Sequence, residues 1–337
     1  MSPSAATSPR FREAAGRARD LLDQAVAHSP APAILLSGGL DTSIVAELAA
    51  PRGLRQAFTV LASPRATDGP FAAAVARAHH LDQKVIALDY PALLEGLRPL
   101  VRTLRTFDPM EVRNSLVIAR ALEEAREAGV RDVLTGDGAD ELFAGYSYLW
   151  GLEPAALRST LDHLARVMRF SSYPLAERVG IRVHAPFLDP AVVEFASRLG
   201  KEELVGDREG VRFGKWVLRE AFAELPQAWR RKDPIEVGSG STGLPEHFRE
   251  RASPAELDRE IERIGLRDRV EIRDAEHLAY YRAFREEFRD LDSLGRWGKD
   301  PCPHCGFELS APDSNFCVTC GAWPARSELR RTAGPPA

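Results

Sequence analysis

The stretch LLSGGLDTSIVAELAA (residues 35–50) decides how the rest of the chain is read. A short apolar strand passes into two glycines, an aspartate and two hydroxyl side chains before a helical pattern begins. A glycine-rich turn between strand and helix aims backbone amides at phosphate, as in a Walker loop. No lysine follows these glycines, so the Walker pattern is rejected and the turn calls for another phosphate chemistry.

Outward from that turn, strand and helix patterns alternate. Upstream, Ala14, Ala18, Leu21, Leu22, Ala25 and Val26 fall at helical spacing, and AILLS (33–37) reads as a buried strand followed by a helix from Thr42 to Ala50. Strands are expected at 56–62, 84–89 and 131–136, with helices around 71–81, 91–107 and 112–128. Continuous apolar strands separated by helices imply a parallel, twisted sheet covered on both faces, the α/β class. Ligands of such sheets bind at the carboxyl ends of strands, where SGGLD and TGDGADE both leave. Beyond about residue 150 the strand signal fades into helix. Asp189-Pro190 reads as an N-cap with proline, SPAE (253–256) as a capping box, and the densely charged 254–290 as a solvated helix pair. No internal repeat is found.

A length of 337 residues suggests roughly two domains, and 44% hydrophobic with 28% charged residues is an ordinary globular composition. The expected divisions are a helical extension at 1–32, the α/β domain at 33–240, a charged helical segment at 241–299, a cysteine module at 300–324 and a disordered tail at 325–337. A net charge of −4 gives no electrostatic case for nucleic acid. With no membrane span and no secretory layout at MSPSAATSPR, the chain is expected in the cytoplasm.

Two constellations carry the chemistry. Leu36, Ser37, Gly38, Gly39, Thr42 and Ser43 would offer amides and hydroxyls to a pyrophosphate, and Asp41 makes sense there if it holds magnesium. In TGDGADELFAGY (135–146), Thr135 and Gly136 precede three acids, Asp137, Asp140 and Glu141. Their repulsion calls for a cation, with Asp140 joining Asp41 on one metal and Asp137 free to accept a proton.

The order SGGLDTS, LTGDGADELFAGY, HAPFLDPAVVEFA, GKWVLREAFAELP and RRKDP resembles the synthetase domain of the asparagine synthetase family, within the PP-loop ATP pyrophosphatases (adenine nucleotide α-hydrolase-like), over about residues 33–240. The resemblance implies that ATP adenylates the side-chain carboxylate of aspartate, that magnesium pyrophosphate leaves, and that ammonia attacks to give the amide. The glycine turn then grips a leaving group, and no Walker lysine is required. The resemblance also implies roles for Lys232 at the α-phosphate and oxyanion, and for Arg113 near the site. Lys215 reaches phosphate or is structural.

Three departures accompany the resemblance. Asp137 stands where the family usually has glutamate in SGEGADE. Arg182 and His184 stand where the family commonly has glutamate and arginine, so packing there and acceptor selection are expected to differ. Full-length relatives begin with a glutaminase domain carrying an N-terminal cysteine; this chain reaches the synthetase strand by residue 33, with all its cysteines at or after 302. Ammonia is therefore expected free or from a separate glutaminase subunit.

Those cysteines form CPHCGFELSAPDSNFCVTCG, two C-x-x-C pairs eleven residues apart, each followed by glycine. Cys302, Cys305, Cys317 and Cys320 read as a closed, structural zinc ribbon, with two disulfides as the alternative. The ribbon's partner is left open. Adenylation of another carboxylate, giving an amide or lactam, is the second enzymatic reading. A tRNA-modifying PP-loop enzyme is a third, against which stand the net charge and the lack of a cysteine in the synthetase part to carry sulfur.

Overall fold

The computed structural model describes residues 8–231, 233–312 and 314–326. Lys232 and residues 327–337 of the tail, two subjects of the sequence reading, lie outside the described residues. In chain order the elements are α1 (Pro9–Ala27), β1 (Ala33–Leu35), α2 (Leu40–Ala49), β2 (Gln56–Leu61), α3 (Asp68–Ala78), β3 (Asp82–Ala87), α4 (Tyr90–Leu94), α5 (Leu97–Leu104) and α6 (Pro109–Glu127). Then follow β4 (Asp132–Leu134), α7 (Ala139–Leu142), α8 (Pro154–Val167), α9 (Ser172–Val179), β5 (Arg182–His184), α10 (Pro190–Ser197), α11 (Lys201–Leu204), β6 (Val205–Arg208), β7 (Val211–Gly214) and α12 (Trp216–Ala221). The last helices are α13 (Ile235–Ser239), α14 (Leu244–Glu250), α15 (Pro254–Asp268) and α16 (Ala275–Glu287).

The chain divides into two compact units that are not sequential. The first holds residues 1–61, 66–86 and 121–239; the second holds 62–65, 87–120 and 240–337.

In the first unit a five-stranded sheet has the order β3-β2-β1-β4-β5, and β1–β2, β1–β4 and β4–β5 pair in parallel. Strand order reverses between β1 and β4, so the turns after these two strands open at the switch point where α/β sheets take ligands. β5 is a strand that the sequence reading missed. Only three residues long, with Arg182 exposed, it offers no apolar run to detect. The antiparallel ribbon β6–β7 escaped for the same reason: its residues are mostly charged or glycine. The core gathers Ile34, Leu36, Ile44 and Leu134 with Phe143, Phe187, Leu218 and Phe222. Phe11, Ala18, Leu21, Leu22, Ala25 and Val26 of α1 join it, so this helix is built into the unit rather than appended. Asp189 caps α10 as expected, accepting a bond from the amide of Ala191 at 2.9 Å.

The second unit is helical. Its helix α16 corrects the expectation of a solvated pair: Leu278, Tyr280, Tyr281 and Phe284 are buried, and Phe107 packs edge-on to Tyr281 and Phe284. Charged residues at the intervening positions hid this aromatic face. Ser253 precedes α15 without a side-chain cap, which removes the expected capping box. Among the described residues no helix is long and apolar enough to cross a membrane.

Candidate active site and cysteine centre

The glycine turn is built for close approach. Gly38 has a φ of +70°, and a Cβ there would lie 2.2 Å from the amide nitrogen of Ala72, so no other residue fits. Gly39 caps α2 without a side chain to occupy its first amides, leaving that helix end open to an anion. The hydroxyls partly serve the turn itself. Ser37 Oγ accepts from the amide of Gly39 at 3.2 Å and lies 3.2 Å from Thr42 Oγ1, while Ser43 Oγ donates to Gly39 O at 2.7 Å. Leu36 is buried beneath, its carbonyl accepting from Thr59 Oγ1 at 2.8 Å.

Asp41 and Asp140 meet across the switch point. Between them stands Lys215, whose Nζ is 2.7 and 2.6 Å from the oxygens of Asp41 and 2.7 Å from Asp140 Oδ1. Burial alone would lower the pKa of Lys215, but the two carboxylates outweigh it and hold the ammonium above its ordinary value. Gly145 makes this possible: a Cβ would fall 1.8 Å from Asp140 Oδ1 and 2.5 Å from Lys215 Cε. Gly136 similarly lets the second turn close on the first, since its Cβ would be 2.9 Å from that of Asp41.

The three crowded acids are each answered separately. Asp140 faces Lys215, and Glu141 accepts from the hydroxyl of Tyr146 at 2.5 Å. Asp137 Oδ2 accepts from Ser172 Oγ at 2.5 Å and Thr135 Oγ1 at 3.0 Å. Burial pushes the Asp137 carboxyl up; the two hydroxyls oppose this, and the nearby charge of Asp41 adds to it. No motif marked Ser172, which enters from α9 with nothing in its sequence surroundings to signal it.

Sequence reasoning also passed over two arginines of this unit. Arg230 lies on the ring of Phe71 at 3.9 Å, donates to Gly38 O at 3.0 Å and to Asp68 Oδ1 at 2.8 Å, and pairs with Asp233 at 3.1 Å. Arg230 and Asp233, on either side of Lys232 in RRKDP, are thus tied to the glycine turn. Arg219 donates to Gly214 O at 2.9 Å and to Ala228 O; burial brings its pKa down to about 10, against the pull of Asp41 and Asp140.

Arg182 and His184 both serve Asp132, at 2.7 and 2.9 Å. This pairing, first through Arg182, holds the Asp132 carboxyl down at about 2. Arg113 belongs to the second unit, where its Nε donates to Pro109 O at 3.2 Å and pairs with Glu276 at 3.3 Å.

The second unit also carries the four cysteines. All are buried and unbridged, with their sulfurs within 4.8 Å of one another. Cys302 to Cys320 is 3.9 Å and Cys305 to Cys317 is 3.6 Å. Four thiolates around zinc at about 2.3 Å would stand about 3.8 Å apart, so the set fits a tetrahedral ion. Each knuckle closes alike: Gly306 and Gly321 take positive φ, and their amides donate to Cys302 O and Cys317 O, both at 2.8 Å.

The asparagine synthase family profile matches residues 17–176 and 174–301. The chain belongs to the asparagine synthase family. Among curated asparagine synthetases, the glutamine-hydrolyzing asparagine synthetase B of Escherichia coli K12 is 25% identical over 285 residues, covering 77% of this chain and 50% of the relative. A probable glutamine-hydrolyzing asparagine synthetase of Schizosaccharomyces pombe is 29% identical over 248 residues, covering 61% and 43%. The chain thus spans about half the length of the curated asparagine synthetases it matches. A solved NMN synthetase from Francisella tularensis is similar over 60% of this chain and 99% of its own, with a TM-score of 0.28 and 17% identity.

Proposed function

We propose that the chain is an AMP-forming carbon–nitrogen ligase that adenylates a carboxylate, the side chain of aspartate in the first instance, and transfers ammonia to it. Membership of the asparagine synthase family supports an ATP-dependent synthetase. The observation that carries the finer reading is the meeting of Asp41 and Asp140 beside an open glycine turn. In the first step a carboxylate oxygen attacks the α-phosphorus and the bond to the bridging oxygen breaks, releasing pyrophosphate. In the second, ammonia attacks the acyl carbon, the bond to AMP breaks, and a proton passes to a base.

The donor set fits magnesium, which takes hard oxygen ligands. Asp41 and Asp140 would hold it, and the ion supplies charge neutralisation for the departing pyrophosphate. The amides of Gly38 and the first turn of α2, with the hydroxyls of Ser37 and Thr42, bind and orient the phosphates. Lys215 contributes a buried positive charge, and Lys232 is assigned to the α-phosphate and the oxyanion. Asp137 takes the proton, its Oδ2 fixed by Ser172 and Thr135. The nitrogen donor is ammonia. In a reducing cytoplasm the four cysteines hold zinc rather than forming disulfides.

The short, doubly bonded Asp137 favours a second reading in which another carboxylate is the acceptor. Pyrophosphate release from ATP and magnesium, with ammonium and a panel of acids, tests both. Release that depends on aspartate supports the first reading, and release only with another acid supports the second. Release that depends on tRNA alone, or none with any carboxylate, contradicts both.

A further inference from the structure

The cysteine centre is tied to one particular segment of its own unit, the turn at 105–108 that launches α6. The amide of Phe107 donates to Thr319 O at 2.8 Å. Thr106 Oγ1 donates to Val318 O at 2.8 Å and lies 3.1 Å from Thr319 O, and it also accepts from the amide of Asp108 at 3.1 Å. Asp108 lies where a side chain on Gly321 would be, since a Cβ there would come within 2.0 Å of its Oδ1. The same carboxylate accepts from the amide of Met110 at 3.2 Å, in the first turn of α6.

The contacts close into a circuit. Arg273 donates to Cys320 O at 2.9 Å, and its amide donates to His277 Nδ1 at 3.2 Å. The His277 ring stacks on Phe107 at 5.3 Å, and both are fully buried. From the second knuckle the path runs through Arg273, His277 and Phe107 back to that knuckle. Helix α6 carries Arg113 in its second turn, held by Pro109 O and Glu276.

We propose that the metal held by Cys302, Cys305, Cys317 and Cys320 positions the 105–113 segment, so that metal occupancy and the order of that segment are one linked equilibrium. The carbonyls of Val318, Thr319 and Cys320 point at the turn only while the knuckle is closed, and the knuckle is closed by its thiolates binding the ion. Linkage is reciprocal: loosening the turn weakens metal retention as surely as metal loss loosens the turn. The inference rests on the reading that the four cysteines hold a metal, is independent of the proposed ligase chemistry, and is tested without activity.

Hydrogen exchange on the full chain, zinc-loaded and chelator-stripped, gives the first readout. Stripping is expected to raise exchange of the Phe107 amide and of α6 amides 110–113 by about tenfold or more, with the Ile34 and Phe58 amides of the sheet unchanged. Unchanged protection over 105–113 in the stripped protein overturns the proposal. Should stripping unfold the whole chain, Thr106→Val decides: it keeps the shape and all four thiols but loses the hydroxyl. Transfer of zinc from this variant to a chromophoric chelator is expected about threefold to tenfold faster than from the parent, the worth of a hydrogen bond or two. Lys299→Ala, exposed nearby, is expected to match the parent. Release from Thr106→Val at the parental rate sinks the idea.

Discussion

Asp41 meets Lys215 through both carboxylate oxygens, at 2.7 and 2.6 Å from Nζ. Lys215 is almost wholly buried and also holds Asp140, so Lys215→Met would leave two carboxylates facing one another without a cation. Breaking a buried pair in this way costs about 3–5 kcal/mol, and a urea titration should record it. Magnesium is expected to restore more stability to the variant than it adds to the parent; an unchanged midpoint would remove Lys215 from this role. The folded-state pKa of Lys215 is raised above its ordinary 10.5. Its contribution is therefore fully present below pH 10.5 and is lost as pH climbs through the folded value.

In the proposed reaction, Asp137 would act in the second half-reaction and not in the first. A base must be ionised to work, and burial raises this carboxyl, so amide formation should rise with pH through an acid limb above the usual carboxylate range. Asp137→Asn is expected to spare pyrophosphate exchange and to slow amide formation by about 10²–10⁴. Ser172→Ala removes a donor that lowers the pKa, so its limb should move to higher pH. Equal loss of both half-reactions in either variant would mean that the pair is merely structural.

Gly145 is the backbone condition for the Asp140–Lys215 contact. Gly145→Ala pushes a methyl into both side chains and should cost about 1–3 kcal/mol, as overpacking does, with most pyrophosphate release lost. Gly151→Ala meets nothing within 4 Å and serves as the comparison. Parental turnover in Gly145→Ala would contradict the geometry.

Arg230 is expected to act on nucleotide binding. Without its bonds to Gly38 O and Asp68, the glycine turn and the segment bearing Lys232 lose a common anchor. Arg230→Ala should raise the KM for ATP by about tenfold, the equivalent of one charge-assisted hydrogen bond. Arg230→Lys should rescue little, since a lysine cannot make the fork and stack on Phe71 together. A change confined to the KM for the acid would point elsewhere.

The sheet and both loops were legible because β1, β2 and β4 are apolar runs and glycines mark their exits. The convergence of Asp41 with Asp140 followed from topology: both turns leave at one edge. Lys215 was visible as a residue but not as the bridge, because its position depends on Gly145 and on its own left-handed φ of 55°. Ser172 and β5 were invisible, having no periodicity to betray them. The aromatic face of α16 was masked by interleaved charges, and the two-unit division could not be read because it interleaves distant segments.

The central claim, that a carboxylate attacks the α-phosphorus, is tested most directly with an acid labelled by oxygen-18 in its carboxyl group. The account predicts one labelled oxygen in the phosphate of the AMP released during amide formation. ADP and phosphate as products, or AMP without the label, would contradict it.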